Sequence, residues 1–159
     1  MNYDQAFDAL IGNEGAYSFD PQDPGGETMW GCTARVARAH GYTDAMRDLP
    51  RDTVKGWYLT DYWRPARCDD LPDAMRFDMF DAAVNEGVHE AVVMLQRAVG
   101  AKPDGAFGPA TLASVLALPA GRERDFFNAG RLEFYTDLAG WDHDGKGWTR
   151  RVAANLRKG

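Results

Sequence analysis

Residues Glu14 to Thr33 read EGAYSFDPQDPGGETMWGCT. The stretch opens with a carboxylate where an amphipathic pattern runs out. It then passes two Asp-Pro steps and a Gly-Gly turn, and delivers Asp23, Thr28 and Trp30 within sixteen residues of that carboxylate. A polar connection this long inside a compact domain is functional or disordered, and Tyr17, Phe19 and Trp30 argue against disorder. On its N-terminal side, Asn2 and Gln5 form a capping-box pattern. Tyr3, Phe7, Leu10 and Ile11 recur at three- and four-residue steps. These spacings predict a first helix with one apolar stripe, bracketed at its end by Gly12 and Gly15, with Glu14 in or just past the last turn. A carboxylate there meets the negative end of the helix dipole, which raises its pKa. That place is poor for a purely structural Glu and useful for an acid.

Downstream of the stretch the pattern is helical. Thr33 caps a short predicted helix that runs through His40 and stops at Gly41. Val54, Trp57, Tyr58 and Tyr62 share one face of a helix over about 51–62, with Trp63 beside it and Pro65 ending the run. Further helices are predicted over about 72–85, 89–99, 109–118 with proline at its first position, 121–138 and 147–156. A small hairpin inside Ser18 to Trp30 is the one strand signal. The expected architecture is mainly α, a helical bundle with a loop or small β-hairpin lobe after the first helix.

Whole-chain properties bound the rest. A chain of 159 residues, 45% apolar and 26% charged, suits one globular domain with a real core. No apolar run approaches the length of a membrane span. MNYDQAFDAL carries acid where a secretory signal carries Lys or Arg, so synthesis in the cytoplasm is expected. Two cysteines, Cys32 and Cys68, are too few for a disulfide framework and read as buried fillers. His40, His89 and His143 lie far apart, and no CxxC or HxxxH occurs, so no metal and no cofactor are expected. A formal charge of −6 argues against nucleic acid. The basic end, TRRVAANLRKG, reads as a solvated helix face whose cations suit the helix dipole.

Two carboxylates and a hydroxyl converging from one loop suggest a reaction class. Breaking a glycosidic bond takes an acid for the leaving oxygen and a second group across the sugar, either a nucleophile or a base holding water. Glu14 fits the acid if apolar neighbours raise its pKa, and Tyr17 and Trp30 are the local candidates for that packing. Asp23, nine residues on, and Thr28, five further, can face Glu14 across a loop or hairpin; Asp20 is a second carboxylate candidate. Asp81 and Asn85 lie four apart on one helix face, placed either to bind sugar or to cap and pair. Trp30, Tyr62 and Trp63 are stacking candidates, though aromatics at helical spacing commonly belong to a core. Asp104 in Pro-Asp-Gly reads as a turn former, and Arg122, Arg124 and Arg131 as solvated or salt-bridged side chains.

At these residues the chain resembles a known family. E-G-x-Y followed by D-P-x-D-x-G-G-x-T-x-x-G is similar to glycoside hydrolase family 108, the bacterial and phage N-acetylmuramidases. The likeness continues through Tyr62-Trp63, Leu71-Pro72, FDAAVNEG at 80–87 and LQRAVG at 95–100. DGAFGPAT at 104–111 is similar to the family's C-terminal peptidoglycan-binding segment. Arg131, Phe134-Tyr135 and Gly147-Trp148 with Arg150-Arg151-Val152 complete it. One departure is Ala16, where the family usually reads E-G-G-Y.

The resemblance implies one lysozyme-like domain over 1–159, with a catalytic part at 1–88 and a peptidoglycan-binding-like helical part at 89–159 integral to the same core. It implies cleavage of the β-1,4 bond between N-acetylmuramic acid and N-acetylglucosamine. Glu14 is the acid, and Asp23 and Thr28 assist, as in the Glu-Asp-Thr triad of phage lysozymes. Tyr17, Trp30, Tyr62, Trp63, Asp81 and Asn85 are the substrate-binding candidates. A monomeric endolysin or related cell-wall lysin is expected, made in the cytoplasm and acting on the wall after release, with peptidoglycan as partner and no stable membrane association. Two rivals remain open: a lytic transglycosylase using Glu14 alone, and a non-catalytic peptidoglycan-binding protein.

Overall fold

The computed structural model describes residues 1–12, 17–19 and 26–158. Glu14, Ala16, Asp20 and Asp23 therefore lie outside the described residues, and Thr28 lies within them. The first helix, α1 (Tyr3–Ile11), starts on the expected capping box. The Asn2 side chain accepts from the Gln5 amide at 3.0 Å, and the Gln5 side chain accepts from the Asn2 amide at 3.1 Å. Phe7 is fully buried, while Leu10 and Ile11 at the far end stay half-buried.

The expected hairpin is a three-stranded antiparallel sheet, β1 (Tyr17–Phe19), β2 (Glu27–Met29) and β3 (Cys32–Thr33), in the order β1-β2-β3. Thr28 sits mid-strand opposite Ser18 on one side and Thr33 on the other. Only two residues, Trp30 and Gly31, join β2 to β3, and both have positive φ, 53° and 74°. This is the combination that matches a turn to the right-handed twist of its strands. Two bonds hold it: the Trp30 indole donates to the Leu49 carbonyl at 2.8 Å, and the Tyr58 hydroxyl donates to the Gly31 carbonyl at 2.9 Å.

Helix α2 (Ala34–Ala39) follows with Thr33 as its N-cap, as expected. Helix α3 (Arg51–Tyr58) is shorter than its apolar pattern predicts, because residues Leu59–Trp63 widen into a π turn. The Arg64 amide reaches back five residues to the Leu59 carbonyl at 3.0 Å. The extra residue changes the phase of the face. Tyr58 and Trp63 thereby both point inward, and Trp63 packs edge-on to Phe80 and Tyr3 at 5.4 and 5.3 Å.

The centre of the molecule is α4 (Asp73–Glu86), whose buried positions include Met75, Phe77, Met79, Phe80, Ala82 and Ala83. Around it lie α5 (Val88–Ala98), α7 (Arg122–Thr136) and α8 (Trp141–Leu156), with α6 (Pro109–Leu116) alongside. The turn-rich segment before α6 is tied down by buried Gln96. Its amide donates to Asp104 Oδ1 at 2.9 Å and to Thr111 Oγ1 at 3.1 Å, and accepts from the Gly105 amide at 2.9 Å. Asp104 also accepts from the Ala106 amide at 3.0 Å, the turn-forming role its Pro-Asp-Gly context suggests. Helix α8 begins six residues before its expected start at Gly147. Trp141 and Trp148 supply its packing, and a Cβ at Gly145 would lie 2.6 Å from the Trp141 ring. The glycine there is room for an indole rather than a break.

Gly31 is where the sheet is most sensitive. A Cβ there would lie 3.2 Å from Ile11 Cδ1 in a left-handed backbone. Gly31→Ala is expected to cost ~1–2 kcal/mol, a fall of roughly 2–8 °C in Tm for a chain of this size. Thermal unfolding followed by circular dichroism measures it. An unchanged Tm would mean that the turn does not need its positive φ.

Candidate active site

Two clefts adjoin where α1, the sheet, α4 and α8 meet. The first, of about 200 Å³, is walled by Leu10 and Ile11 from α1, Gly31 from the turn, Tyr58, and Asn85 with Arg151. The second, of about 230 Å³, shares Asn85 and Arg151 and continues past Glu86 to Tyr135 and Trp148. A larger hollow of about 510 Å³ between α5 and α7 includes no residue of α1 or the sheet. Another of about 530 Å³, lined by Met1, Gln5, Asp73, Phe77, Arg124 and Lys158, lies where the first helix meets α4 and includes no residue of the sheet. The paired clefts are the better candidate, because polar groups converge on them and Glu14 follows their Ile11 wall by three residues in the sequence.

The floor beneath these clefts is ionic. Asp81 on α4 is 2% exposed, and its two oxygens collect four donors. Oδ2 accepts from Arg131 Nη2 and from Asn155 Nδ2, each at 2.8 Å. Oδ1 receives the longer contacts of Asn85 Nδ2 and Arg151 Nη1, each at 3.4 Å. Arg131, fully buried, also reaches both oxygens of Glu86 at 3.3 Å, and the Tyr135 hydroxyl donates to Glu86 at 2.5 Å. Close by, the Arg124 Nε donates to buried Asp78 at 2.6 Å, and its Nη2 to the Asn155 carbonyl at 2.8 Å. Asn155 thus touches both ion pairs, binding α8 to α4 and α7.

Burial sets the proton affinities here. It pushes the Glu86 carboxyl above the usual range, with Arg131 and the Tyr135 hydroxyl pulling back. Asp78 is likewise pushed up by burial against the pull of Arg124. For Arg131 burial opposes the charge, yet Glu86 and Asp81 outweigh it and hold the guanidinium protonated. Cys32 and Cys68 are buried free thiols. Burial raises both, Cys32 to about 11, so neither is a nucleophile at neutral pH.

The structure distributes the expected site residues unevenly. Asn85 lies at the junction of the clefts, and Asp81 sits beneath it as an anchor. Tyr17 is engaged within the sheet lobe, its hydroxyl donating to Glu27 at 2.7 Å and its ring under the Arg47 guanidinium at 4.0 Å. Trp30 is tethered to Leu49 by its indole, and Tyr62 lies half-buried, edge-on to Tyr58 at 5.2 Å. Trp63 is a correction: it is 0% exposed and cannot stack on a saccharide, because the π turn rotates it into the core. Glu86, Tyr135, Trp148 and Arg151 line the clefts without having been singled out from the sequence as site residues. Their one signal was membership in the landmarks FDAAVNEG, Phe134-Tyr135 and Gly147-Trp148 with Arg150-Arg151.

The family model described as Glycosyl hydrolase 108 matches residues 7–87, and one described as Predicted Peptidoglycan domain matches residues 90–153. Among solved structures the chain is similar to SagA of Brucella abortus. The two share 32% sequence identity over 98% of this chain and 92% of that one, with a TM-score of 0.87. No curated protein sequence matches.

Two predictions follow from the ionic floor. Asp81→Ala strands Arg131 in the interior with only Glu86, and is expected to cost about 3–5 kcal/mol in urea unfolding. A loss below about 1 kcal/mol would mean that Glu86 alone neutralises the arginine. The second concerns pH. With its folded pKa raised, native Glu86 releases its proton at a higher pH than the unfolded chain does. Its contribution is therefore full below the unfolded value of 4.5 and is lost as pH rises through the folded value. Glu86→Gln should lose less stability than the wild type over that rise. Parallel urea curves for the two proteins across the same pH series would sink the assignment.

Proposed function

The chain belongs to the glycosyl hydrolase 108 family, and from that membership we propose that it cleaves the β-1,4 bond between N-acetylmuramic acid and N-acetylglucosamine by acid catalysis from Glu14. Membership, with the peptidoglycan-domain match, makes it a glycoside hydrolase acting on peptidoglycan, built on a lysozyme-like helical fold. The observation that carries the finer reading is a coincidence of place. The match from residue 7 to 87 spans Glu14, Asp23 and Thr28, and a cleft is walled by the α1 residues that precede Glu14 in the chain.

In this reading Glu14 protonates the glycosidic oxygen as the bond to the sugar's anomeric carbon breaks. Asp23, with the Thr28 hydroxyl from the middle strand, meets the positive charge that develops there, or holds the water that adds to it. The two roles have different products: a base that activates water inverts the anomeric centre, and a nucleophile retains it. Asn85 meets the sugar from α4 at the cleft junction, with Asp81 fixing its amide. Tyr17 and Trp30 on the sheet lobe and Tyr62 in the π turn lie outside the lining of the two clefts and serve only sugars bound beyond them. The protein acts as a cofactor-free monomeric lysin, made in the cytoplasm and released to the wall.

Mass spectrometry of soluble fragments from purified peptidoglycan, treated with wild type and Glu14→Gln, tests the proposal. Wild type is expected to release fragments with reducing N-acetylmuramic acid ends. The variant should keep its Tm and lose activity by about 10²–10⁴-fold, the scale of a general acid's contribution. Anhydro ends would instead assign a lytic transglycosylase and remove the roles of Asp23 and Thr28. No fragments from either protein, with wall binding retained, would leave a binding protein.

A further inference from the structure

Arg151 stands at the point where the two clefts join, on the last helix, 137 residues along the chain from Glu14. Its side chain is 44% exposed, and its one ion pair among the described residues is the 3.4 Å contact of Nη1 with Asp81. Asp81 does not depend on it, because Arg131 and Asn155 already hold the carboxylate at 2.8 Å. The other acid on the cleft wall, Glu86, is occupied by Arg131 and Tyr135. Formally, Asp81 and Glu86 balance Arg131 and Arg151, but the geometry places the two acids inside and one of the two cations at the opening. A guanidinium carries five N–H donors in a planar fork. Here one end is steadied by Asp81, and the remainder faces a cleft with no acid free to receive it among the described residues.

We infer that Arg151 binds a carboxylate carried on the lactyl arm of the muramic acid unit, and so selects N-acetylmuramic acid over N-acetylglucosamine at this point of the cleft. This rests on the proposed substrate. N-acetylglucosamine has no acid, whereas the muramic lactyl group ends in a carboxylate in peptide-free glycan and leads to the carboxylates of the stem peptide when substituted. A planar fork matches a carboxylate with two parallel bonds. Asn85 beside it has its amide nitrogen committed to Asp81, and its carbonyl oxygen is left to accept from a sugar N–H or O–H. The pair therefore presents a donor fork and an acceptor side by side, and the Trp148 ring, 5.3 Å from Tyr135, forms the wall next to them.

The test is calorimetric binding in a Glu14→Gln background, where no turnover interferes. Three glycan preparations serve as ligands: peptide-free strands, the same strands with the lactyl carboxyl reduced to an alcohol, and strands that keep their stem peptides. Arg151→Gln is expected to raise Kd for the peptide-free strands about 10-fold or more and to leave the reduced strands unchanged. Arg151→Lys, which keeps the charge without the fork, should fall between. Weakening confined to the peptide-bearing strands would place the recognised carboxylate on the stem and still support the assignment. Equal weakening of all three ligands, or of none, would overturn it. A wild type that releases no fragments from the wall yet shows the carboxylate-dependent loss would refute the proposed catalysis and leave Arg151 as a binding residue.

Discussion

A single buried carboxylate constrains most of this structure. Ionised Asp81 in the interior of α4 would be prohibitively costly without partners, and the partners it takes fix the neighbouring helices. Arg131 brings α7 against α4, and Asn155 brings α8. Glu86 and Tyr135 then complete the neutralisation of Arg131. Such a network adds little net stability over a well-packed apolar core, because desolvation offsets most of the attraction. What it imposes is position: the two 2.8 Å bonds that Arg131 and Asn155 make to one Asp81 oxygen leave α7 and α8 little freedom to slide on α4. The clefts lie directly on that floor, so the groups bordering them inherit its rigidity.

How much of this was legible in the sequence depended on how local each determinant was. The start of α1 was readable because Asn2 and Gln5 satisfy each other within one turn. The starts of α2 and α6 were readable for the same reason, from Thr33 and Pro109. The first residues of α8 were not, because GWDHDGKG reads as loop from composition. Helix there is chosen by Trp141 lying over Gly145 and Trp148 reaching Tyr135. Trp63 misled for a subtler reason. Its spacing from Tyr58 suits a surface edge on a regular helix, and one added residue in the turn moved it inside. At the site, the acid-bearing stretch after α1 was legible as a motif, and Asn85 by its spacing. The floor was not, since Arg131 and Asn155 stand 50 and 74 residues from Asp81, and no local pattern joins them.

The two-residue turn of the sheet shows a different balance. Glycine takes a left-handed backbone freely, but Trp30 does so at a cost of ~1–2 kcal/mol. The conformation persists because Leu49 and Tyr58 bind the turn from outside it. Strained residues of this kind gather at sites where the surrounding structure over-determines them. Gly31, the next residue, forms part of the cleft wall.

The reach of Asp81 also bears on how such a protein evolves. The two family segments meet at residues 87–90, a seam along which a gene can be cut and its halves recombined with others. The chemistry forbids a clean cut. A first half taken alone keeps the anion of Asp81 and surrenders Arg131, Asn155 and Arg151; a second half taken alone keeps a buried cation with no acid to receive it. Each half is thus a poor graft onto a foreign partner unless that partner supplies the missing charge in the same place. Exchange of parts by recombination is held back by the ion pairs that cross the seam, Arg131 with Asp81 and Glu86 and Arg124 with Asp78, so a substitution on one side is judged by the other.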